Sequence, residues 1–282
     1  MAKILIVNPK AGNGKGLEVA NKIKDIYPNE KVVIYPTKCK GDATIYVKNN
    51  VTDKDTVYSI GGDGTLHEIV NGLVGKNAKL CVVPSGSGND FYKSNDNTVE
   101  KIIDVGYAND EYFINSFSIG IDADIGINAE KFKKKYIPRN MIYNLSIIYT
   151  ILNYKSKELE IDLASFRKTM ITVMNGQYYG GGFRISPDAE IDDGYLDLTV
   201  VDELNTLKLV KLLTKVIRQT HTTDKYVNIS KIKNIRISSP SILTACIDGE
   251  LVRSNDFEIG IREKCLTLYN DPNIDVRQLI KK

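Results

Sequence analysis

Cysteine is scarce and scattered: Cys39, Cys81, Cys246 and Cys265 stand far apart among 282 residues, mostly inside apolar strand-like runs, with no Cys-x-x-Cys pair. Buried thiols fit that pattern better than zinc ligands or a disulfide framework. Only eight prolines occur and no low-complexity tract, so the chain does not read as disordered. Neither sign of charge prevails: 38 Lys and Arg against 35 Asp and Glu leave +3. That balance excludes a nucleic-acid coat protein or an acidic tail, and no nucleic-acid partner is expected. No apolar run approaches the roughly 20 residues a membrane span requires. The densest, Met141 to Leu152, is interrupted by Asn144, Ser146 and Thr150. The N-terminus offers no apolar segment followed by a small-residue cleavage site, so cytoplasmic residence is expected. Of only two histidines, His221 sits in a Thr-rich polar segment and His67 reads as a helix-surface residue near a ligand loop.

Hydrophobic residues make up 42% of the chain, enough for a sizeable core, and the length favours two domains. Up to about residue 114, short apolar runs (Ile4 to Val7, Val32 to Tyr35, Thr56 to Ile60, Leu80 to Val83) alternate with helical patterns at Gly16 to Ile26, Ala43 to Asn49 and Leu66 to Leu73. This alternation predicts an α/β domain with a parallel sheet. From 115 to 270 strand-like segments dominate: Phe117 to Ile121, Glu158 to Leu163, Thr169 to Asn175, Tyr195 to Val201, Asn234 to Ser238, Thr244 to Ile247 and Cys265 to Tyr269. A mostly antiparallel β-sandwich or flattened barrel is expected there, with helices inserted at Asn140 to Tyr154 and Asn205 to Thr220. Residues 271–282 are placed as a segment able to return to the first domain.

Three glycine-rich segments follow strand runs: Asn8-Pro9-Lys10-Ala11-Gly12-Asn13-Gly14-Lys15-Gly16, Gly61-Gly62-Asp63-Gly64-Thr65, and Pro84-Ser85-Gly86-Ser87-Gly88-Asn89-Asp90. Loops at the carboxyl ends of parallel strands are where open α/β sheets bind ligands, and glycine lets backbone N–H groups approach an anion closely. Any one glycine pair is ordinarily a tight turn. Three on one sheet edge point to a polyphosphate. Neither a Walker A nor a G-x-G-x-x-G spacing is present, which disfavours P-loop ATPases and dinucleotide dehydrogenases.

Asn8-Pro9 with Gly12, the Gly61 to Thr65 run and Pro84 to Phe91 together resemble the catalytic domain of diacylglycerol kinases, and most of all the soluble bacterial lipid kinases of that family. The resemblance continues in order through Gly120-Ile121-Asp122-Ala123, Asn175-Gly176, Gly180-Gly181-Gly182, Ser186-Pro187-Asp188-Ala189, Asp192-Asp193-Gly194 and Asp248-Gly249-Glu250. The Gly-Gly-Asp-Gly-Thr element alone is shared with NAD kinases and phosphofructokinases. What the resemblance implies is an ATP-dependent kinase for a lipid hydroxyl, diacylglycerol or a related alcohol, with the nucleotide in an interdomain cleft. Its nucleotide contacts would be Asn8, Pro9, Lys10, Ala11 and Gly12, then Thr37, then Gly62, Asp63, Gly64, Thr65, Leu66, His67 and Glu68, and finally Ser87. Ser87 stands where threonine is commoner, and Tyr92-Lys93 replaces the usual Ala-Arg, so a charge remains there without the planar guanidinium.

Phosphoryl transfer needs backbone donors around the phosphates, a divalent cation and a carboxylate to accept the hydroxyl proton. Asp63, Asp248 and Glu250 are the catalytic candidates. Taken alone, Asp63 reads as a helix cap and Asp248-Gly249-Glu250 as a β-turn. The resemblance makes that turn the general-base site. The sequence does not decide between Asp248 and Glu250, although Asp248 is favoured because the shorter side chain is more rigidly aimed. By resemblance Asp193, with the main-chain carbonyls of Glu190 and Tyr195, would hold a structural Mg2+ apart from the nucleotide-borne ion; a solvated acidic turn is the ordinary reading of those residues. The run Lys131 to Tyr136 reads as a solvated helix face with the capacity to touch anionic headgroups, each basic residue adding about 1 kcal/mol there. Membrane contact is expected to be peripheral and transient, and the assembly state, monomer or homodimer, stays open. An NAD kinase-like enzyme is the alternative activity, and a catalytically silent nucleotide sensor the alternative of another class.

Overall fold

Residues 1–86, 88–95, 98–133, 139–161 and 164–279 are described by a computed structural model. Four apolar runs form parallel strands, β1 (Lys3–Val7), β2 (Val32–Pro36), β3 (Thr56–Gly61) and β4 (Lys79–Pro84), in the order β2-β1-β3-β4. The helices between them are α1 (Gly16–Ile26), α2 (Asp42–Asn50) and α3 (Asp63–Leu73). β1 is wholly buried, and its alternation splits it between two cores. Ile4 and Ile6 pack with Val47, Ile69 and Val70 of α2 and α3, while Leu5 and Val7 pack with Val19, Ala20 and Ile23 of α1. Helices therefore cover both faces of the sheet, which forces the three strand-to-helix loops to its carboxyl edge.

The chain then runs through α4 (Asp90–Lys93), β5 (Glu100–Ala108), β6 (Glu111–Phe113), β7 (Ser116–Gly120), α5 (Ile121–Lys133) and α6 (Arg139–Asn153). Next come β8 (Lys157–Ile161), β9 (Ala164–Met174), the small hairpin β10 (Tyr178–Tyr179) and β11 (Phe183–Arg184), β12 (Leu196–Asp202), α7 (Thr206–Ile217) and β13 (Val227–Ile232). Two long strands, β14 (Asn234–Ile247) and β15 (Glu250–Tyr269), and a short α8 (Val276–Leu279) complete it. Pairings among the strands of this half are antiparallel, and β7-β9, β9-β8, β8-β14 and β14-β7 close a ring. These strands share a core that includes Phe117, Leu159, Ile171, Ile237 and Ile247.

The second half is β-rich and mostly antiparallel, as expected, and among the described residues a single hydrogen-bonded network of 13 strands runs through both halves. The join is β15, whose Thr267 and Leu268 pair in parallel with Lys79 and Leu80 of β4. Two strand readings need correction. The segment Cys265 to Tyr269, read as an independent strand of the second half, is thus the last part of a 20-residue strand that extends the first sheet. Likewise Asn234 to Ser238 and Thr244 to Ile247 are one strand, carried past exposed Pro240 by a register shift between Ser238 and Leu243. Beyond β15, Ile274, Val276 and Leu279 lie against the α1-side core, and Asp271 accepts hydrogen bonds from the hydroxyls of Tyr27 and Tyr58. Among the described residues no helix is long and apolar enough to cross a membrane.

Candidate active site

The carboxyl edge of the parallel sheet opens into a cleft of about 1220 Å³, closed on its far side by the turn between β14 and β15. Asn8, Lys10, Ala11 and Gly12 line it from the first loop, Gly62, Asp63 and Gly64 from the second, Ser85, Gly86 and Gly88 from the third, and Asp248 and Glu250 from the opposing turn. The first two carbons of this edge are tightly set: a side chain on Gly86 would overlap the Gly62 Cα. Gly62 caps α3 without a side-chain hydrogen bond, so the helix N-terminus faces the cleft with its amide dipole unblocked. The third loop holds its shape through Asn89, in left-handed conformation (φ 51°), which accepts from Gly86 N at 3.0 Å and donates back to Gly86 O at 2.9 Å. Lys15, Lys22 and Lys133 add positive charge at the rim.

Not every residue expected at the nucleotide reaches it. Thr37 turns its hydroxyl back to Val7 O. Thr65 and Leu66 are buried, and Glu68 caps α2, accepting from Gly41 N at 2.8 Å and Ala43 N at 3.1 Å. Pro9 is not part of the cleft lining, and Ser87 lies outside the described residues, as does the Lys134 to Tyr136 part of the basic run. His67 is not a surface residue: it is 4% exposed, between Asp248 Oδ2 (3.3 Å from Nδ1) and Glu111 Oε1 (2.9 Å from Nε2). Burial works against its charge, but hydrogen bonds to Asp248 and Glu111 outweigh that and push its pKa up to about 10, so the ring is an imidazolium.

The two carboxylates of the Asp248-Gly249-Glu250 turn stand in opposite situations. Asp248 is buried, and besides His67 it accepts three main-chain N–H groups, Ile114 at 2.8 Å, Asn115 at 3.0 Å and Ser116 at 2.8 Å. Four donors saturate it. Its left-handed backbone (φ 47°) lets the turn present Glu250 instead, whose Oε1 lies 3.5 Å from where a Gly64 side chain would begin. Glu250 is about one-third exposed and, among the described residues, is paired with the largely exposed Lys40. That hydrogen bond is the main reason the Lys40 ammonium titrates above its usual range.

Two further carboxylates, quoted within motifs but given no role from the sequence, are buried behind the cleft lining. Asp90 is buried; it accepts from Lys93 Nζ at 2.9 Å and from Gly181 N at 2.7 Å, tying the third loop to the glycine turn of the second half. Asp63 accepts from Asp90 N at 2.7 Å, and burial, together with the neighbouring Asp90 charge, raises its pKa. Asp122 is buried under the hydroxyls of Ser118 and Tyr179, its pKa raised by burial, and its Oδ1 has no hydrogen-bond partner. The signal that could have identified both is an acidic residue inside an otherwise apolar or glycine-rich motif.

For Mg2+, the donors divide in two. Of the carboxylates lining the cleft, Asp63 is the one set between the second and third glycine loops, its Oδ2 2.6 Å from where a Gly88 side chain would begin. The acidic turn at Asp193 is different: its oxygens accept from Tyr195 N at 2.9 Å and from the Lys231 ammonium, so a lysine supplies the positive charge there. Among the described residues no three His, Cys, Asp or Glu side chains gather as a metal cluster.

Comparison with known proteins gives the family. Residues 3–108 match the family model for the diacylglycerol kinase catalytic domain, and residues 115–270 match the YegS C-terminal NAD kinase beta sandwich-like domain. A Staphylococcus aureus diacylglycerol kinase is 31% identical over 236 residues, 77% of this chain and 75% of the relative. A Bacillus subtilis diacylglycerol kinase is 27% identical over 239 residues, 77% of this chain and 78% of the relative. A solved structure from Bacillus anthracis, provisionally named a diacylglycerol kinase, superposes with a TM-score of 0.75 at 28% identity, covering 96% of this chain and 97% of that one. By these matches the chain belongs to the diacylglycerol kinase family and is a kinase.

Proposed function

We propose that the cleft transfers the γ-phosphate of ATP to the hydroxyl of diacylglycerol or a closely related lipid alcohol, giving phosphatidic acid or its analogue, with Glu250 as proton acceptor. The observation that carries the assignment of the base is the contrast within one turn: Asp248 spends its lone pairs on four donors, while Glu250 faces the Gly64 loop across the cleft. A carboxylate held by several N–H groups is a weak base; one that meets the substrate with a free oxygen is not.

In the reaction the lipid hydroxyl oxygen bonds to the γ-phosphorus, the bond from that phosphorus to the β,γ-bridging oxygen breaks, and ADP leaves. The hydroxyl proton passes to Glu250. Amides of Gly62, Asp63, Gly64 and Gly88 would hold the phosphates, with Lys10 and Lys15 at the rim to neutralise them. Asp63 would hold the Mg2+ borne by the nucleotide, which would supply further charge neutralisation. Asp90 holds the third loop against Gly181 and so fixes the distance between nucleotide and acceptor sides. In this reading residues 1–114 and 271–282 form the nucleotide-binding domain, residues 115–270 the sandwich-like lipid domain, and the enzyme works from the cytoplasm in transient contact with the membrane surface.

The test supplies purified protein with γ-labelled ATP and Mg2+, and with a mixed lipid extract or NAD+ as acceptor. Label in a lipid phosphomonoester from a diacylglycerol supports the proposal. Label in NADP+ overturns it in favour of the NAD kinase-like alternative, and ATP binding with no transfer to either makes the chain a nucleotide sensor.

A further inference from the structure

Helix α6 buries some polar side chains along with its core face and leaves several apolar ones outside. Its polar Ser146 and Thr150 are buried, at 0% and 3% exposure, satisfied by Tyr143 O, Ser146 O and the Asn128 amide. Its Met141, Ile148 and Leu152 project outward at 48%, 57% and 65% exposure. Spacings of seven and four residues put these three on one stripe, apart from the buried Ile142 and Ile151. Helix α7 repeats the theme beside it. Leu209, Leu212 and Leu213 of α7 and Ile147 and Ile151 of α6 share one core, so both helices rest on the same support and turn their remaining faces outward together. On α7 that face carries Leu207, Val210 and Ile217.

Next to the apolar stripe of α7 runs a basic one, Lys208, Lys211, Lys215 and Arg218, and neither helix contains an acidic residue. Lys208 lies over the Tyr226 ring and Lys215 pairs with Asp224; Lys211 and Arg218 make no ion pair among the described residues. The ridge stands beside the glycine turn that Asp90 holds. The Tyr143 hydroxyl of α6 lies 2.9 Å from where a Gly180 side chain would begin, in the glycine turn that binds Asp90, and Lys133 at the end of α5 lines the cleft itself.

We propose that α6 and α7 form an interfacial ridge that seats this chain on an anionic bilayer, with Met141, Ile148, Leu152, Leu207, Val210 and Ile217 at the headgroup and acyl boundary and Lys211 and Arg218 against the headgroups. Apolar burial joined to charge attraction is how interfacial helices bind. A second copy of the chain fits less well, because a two-fold contact through these faces would set lysine row near lysine row with no carboxylate on either helix to pair with. The inference rests on the lipid-kinase reading, since it gives the ridge the task of bringing the cleft to its substrate.

The test is co-sedimentation with vesicles of phosphatidylcholine and phosphatidylglycerol, comparing the parent with L152S/L207S/I217S and with K211Q/R218Q. All five positions are exposed, so melting curves should be unchanged. The serine variant should partition roughly tenfold more weakly at any salt concentration, the glutamine variant only at low salt. Phosphorylation of a vesicle-embedded diacylglycerol should fall in parallel, while turnover on a short-chain diacylglycerol dispersed in water should not change. Equal vesicle binding by parent and serine variant overturns the proposal. So does a parent that is dimeric by light scattering and a serine variant that is monomeric, which would make the ridge a subunit contact. Vesicle binding lost in the serine variant with no lipid phosphorylation by the parent would sustain the docking surface and sink the lipid-kinase reading instead.

Discussion

A residue's partners, more than its identity, decide what it can do in this cleft. Asp248 and Glu250 are two residues apart, yet one is saturated and the other available. Asp248→Asn places an amide against main-chain donors and strands at least one of them, at about 1–3 kcal/mol; its melting temperature should fall. Glu250→Gln should melt like the parent and bind nucleotide equally, while turnover drops by roughly 100-fold. Calorimetry and steady-state kinetics on the pair check this, and the reverse pattern would return the base to Asp248. His67 supplies a pH signature. Its folded pKa of about 10 exceeds the unfolded value near 6.5, so its stabilising contribution is complete below pH 6.5 and fades as pH rises toward 10. The parent should therefore lose stability across that interval, and His67→Gln should show a flatter profile in the same urea titrations. A variant as steep as the parent would mean that another group carries the dependence.

At the scale of elements, the loops depend on close backbone approach. Gly86→Ala drives a methyl group into the Gly62 backbone and should part the second and third loops, weakening ATP binding by roughly tenfold, about 1.4 kcal/mol, in a folded protein. Unchanged affinity by fluorescence titration would separate these loops from the nucleotide. These loops were legible because parallel strands buried on both faces write themselves as apolar runs, and α1 spans Gly16–Ile26 as its periodicity indicates. Less legible elements carry residues placed for tertiary reasons. β5 holds Asp104, fully buried and accepting from Gly194 N and Lys264 N, which breaks the apolar pattern of a strand. α5 contains Asp122, for the site, and Gly126, packed close to Leu251, neither of which favours a helix on its own. The saturation of Asp248 was equally hidden, since its donors at Ile114, Asn115 and Ser116 lie more than 130 residues away in sequence and meet it only through the β7-β14 pairing.

For the whole molecule, the halves are joined by hydrogen bonds that no local pattern announces: β15 enters the parallel sheet, and Asp271 fastens the returning chain to Tyr27 and Tyr58. Burial, with the Asp271 contact adding to it, raises both tyrosine pKa values, so the hydroxyls remain donors. Asp271→Ala removes their shared acceptor and should lower the melting temperature without altering the substrate preference, a result that differential scanning calorimetry and a competition assay would read together. The cleft between the halves is where the account stands or falls. Its most direct measurement is transfer of labelled γ-phosphate from Mg-ATP to diacylglycerol in mixed micelles, by the parent and by Glu250→Gln in one assay. The account predicts labelled phosphatidic acid from the parent and roughly 100-fold less from the variant at equal ATP affinity. Equal rates from both would contradict Glu250 as the proton acceptor, and label that never enters the lipid would contradict the lipid-kinase reading itself.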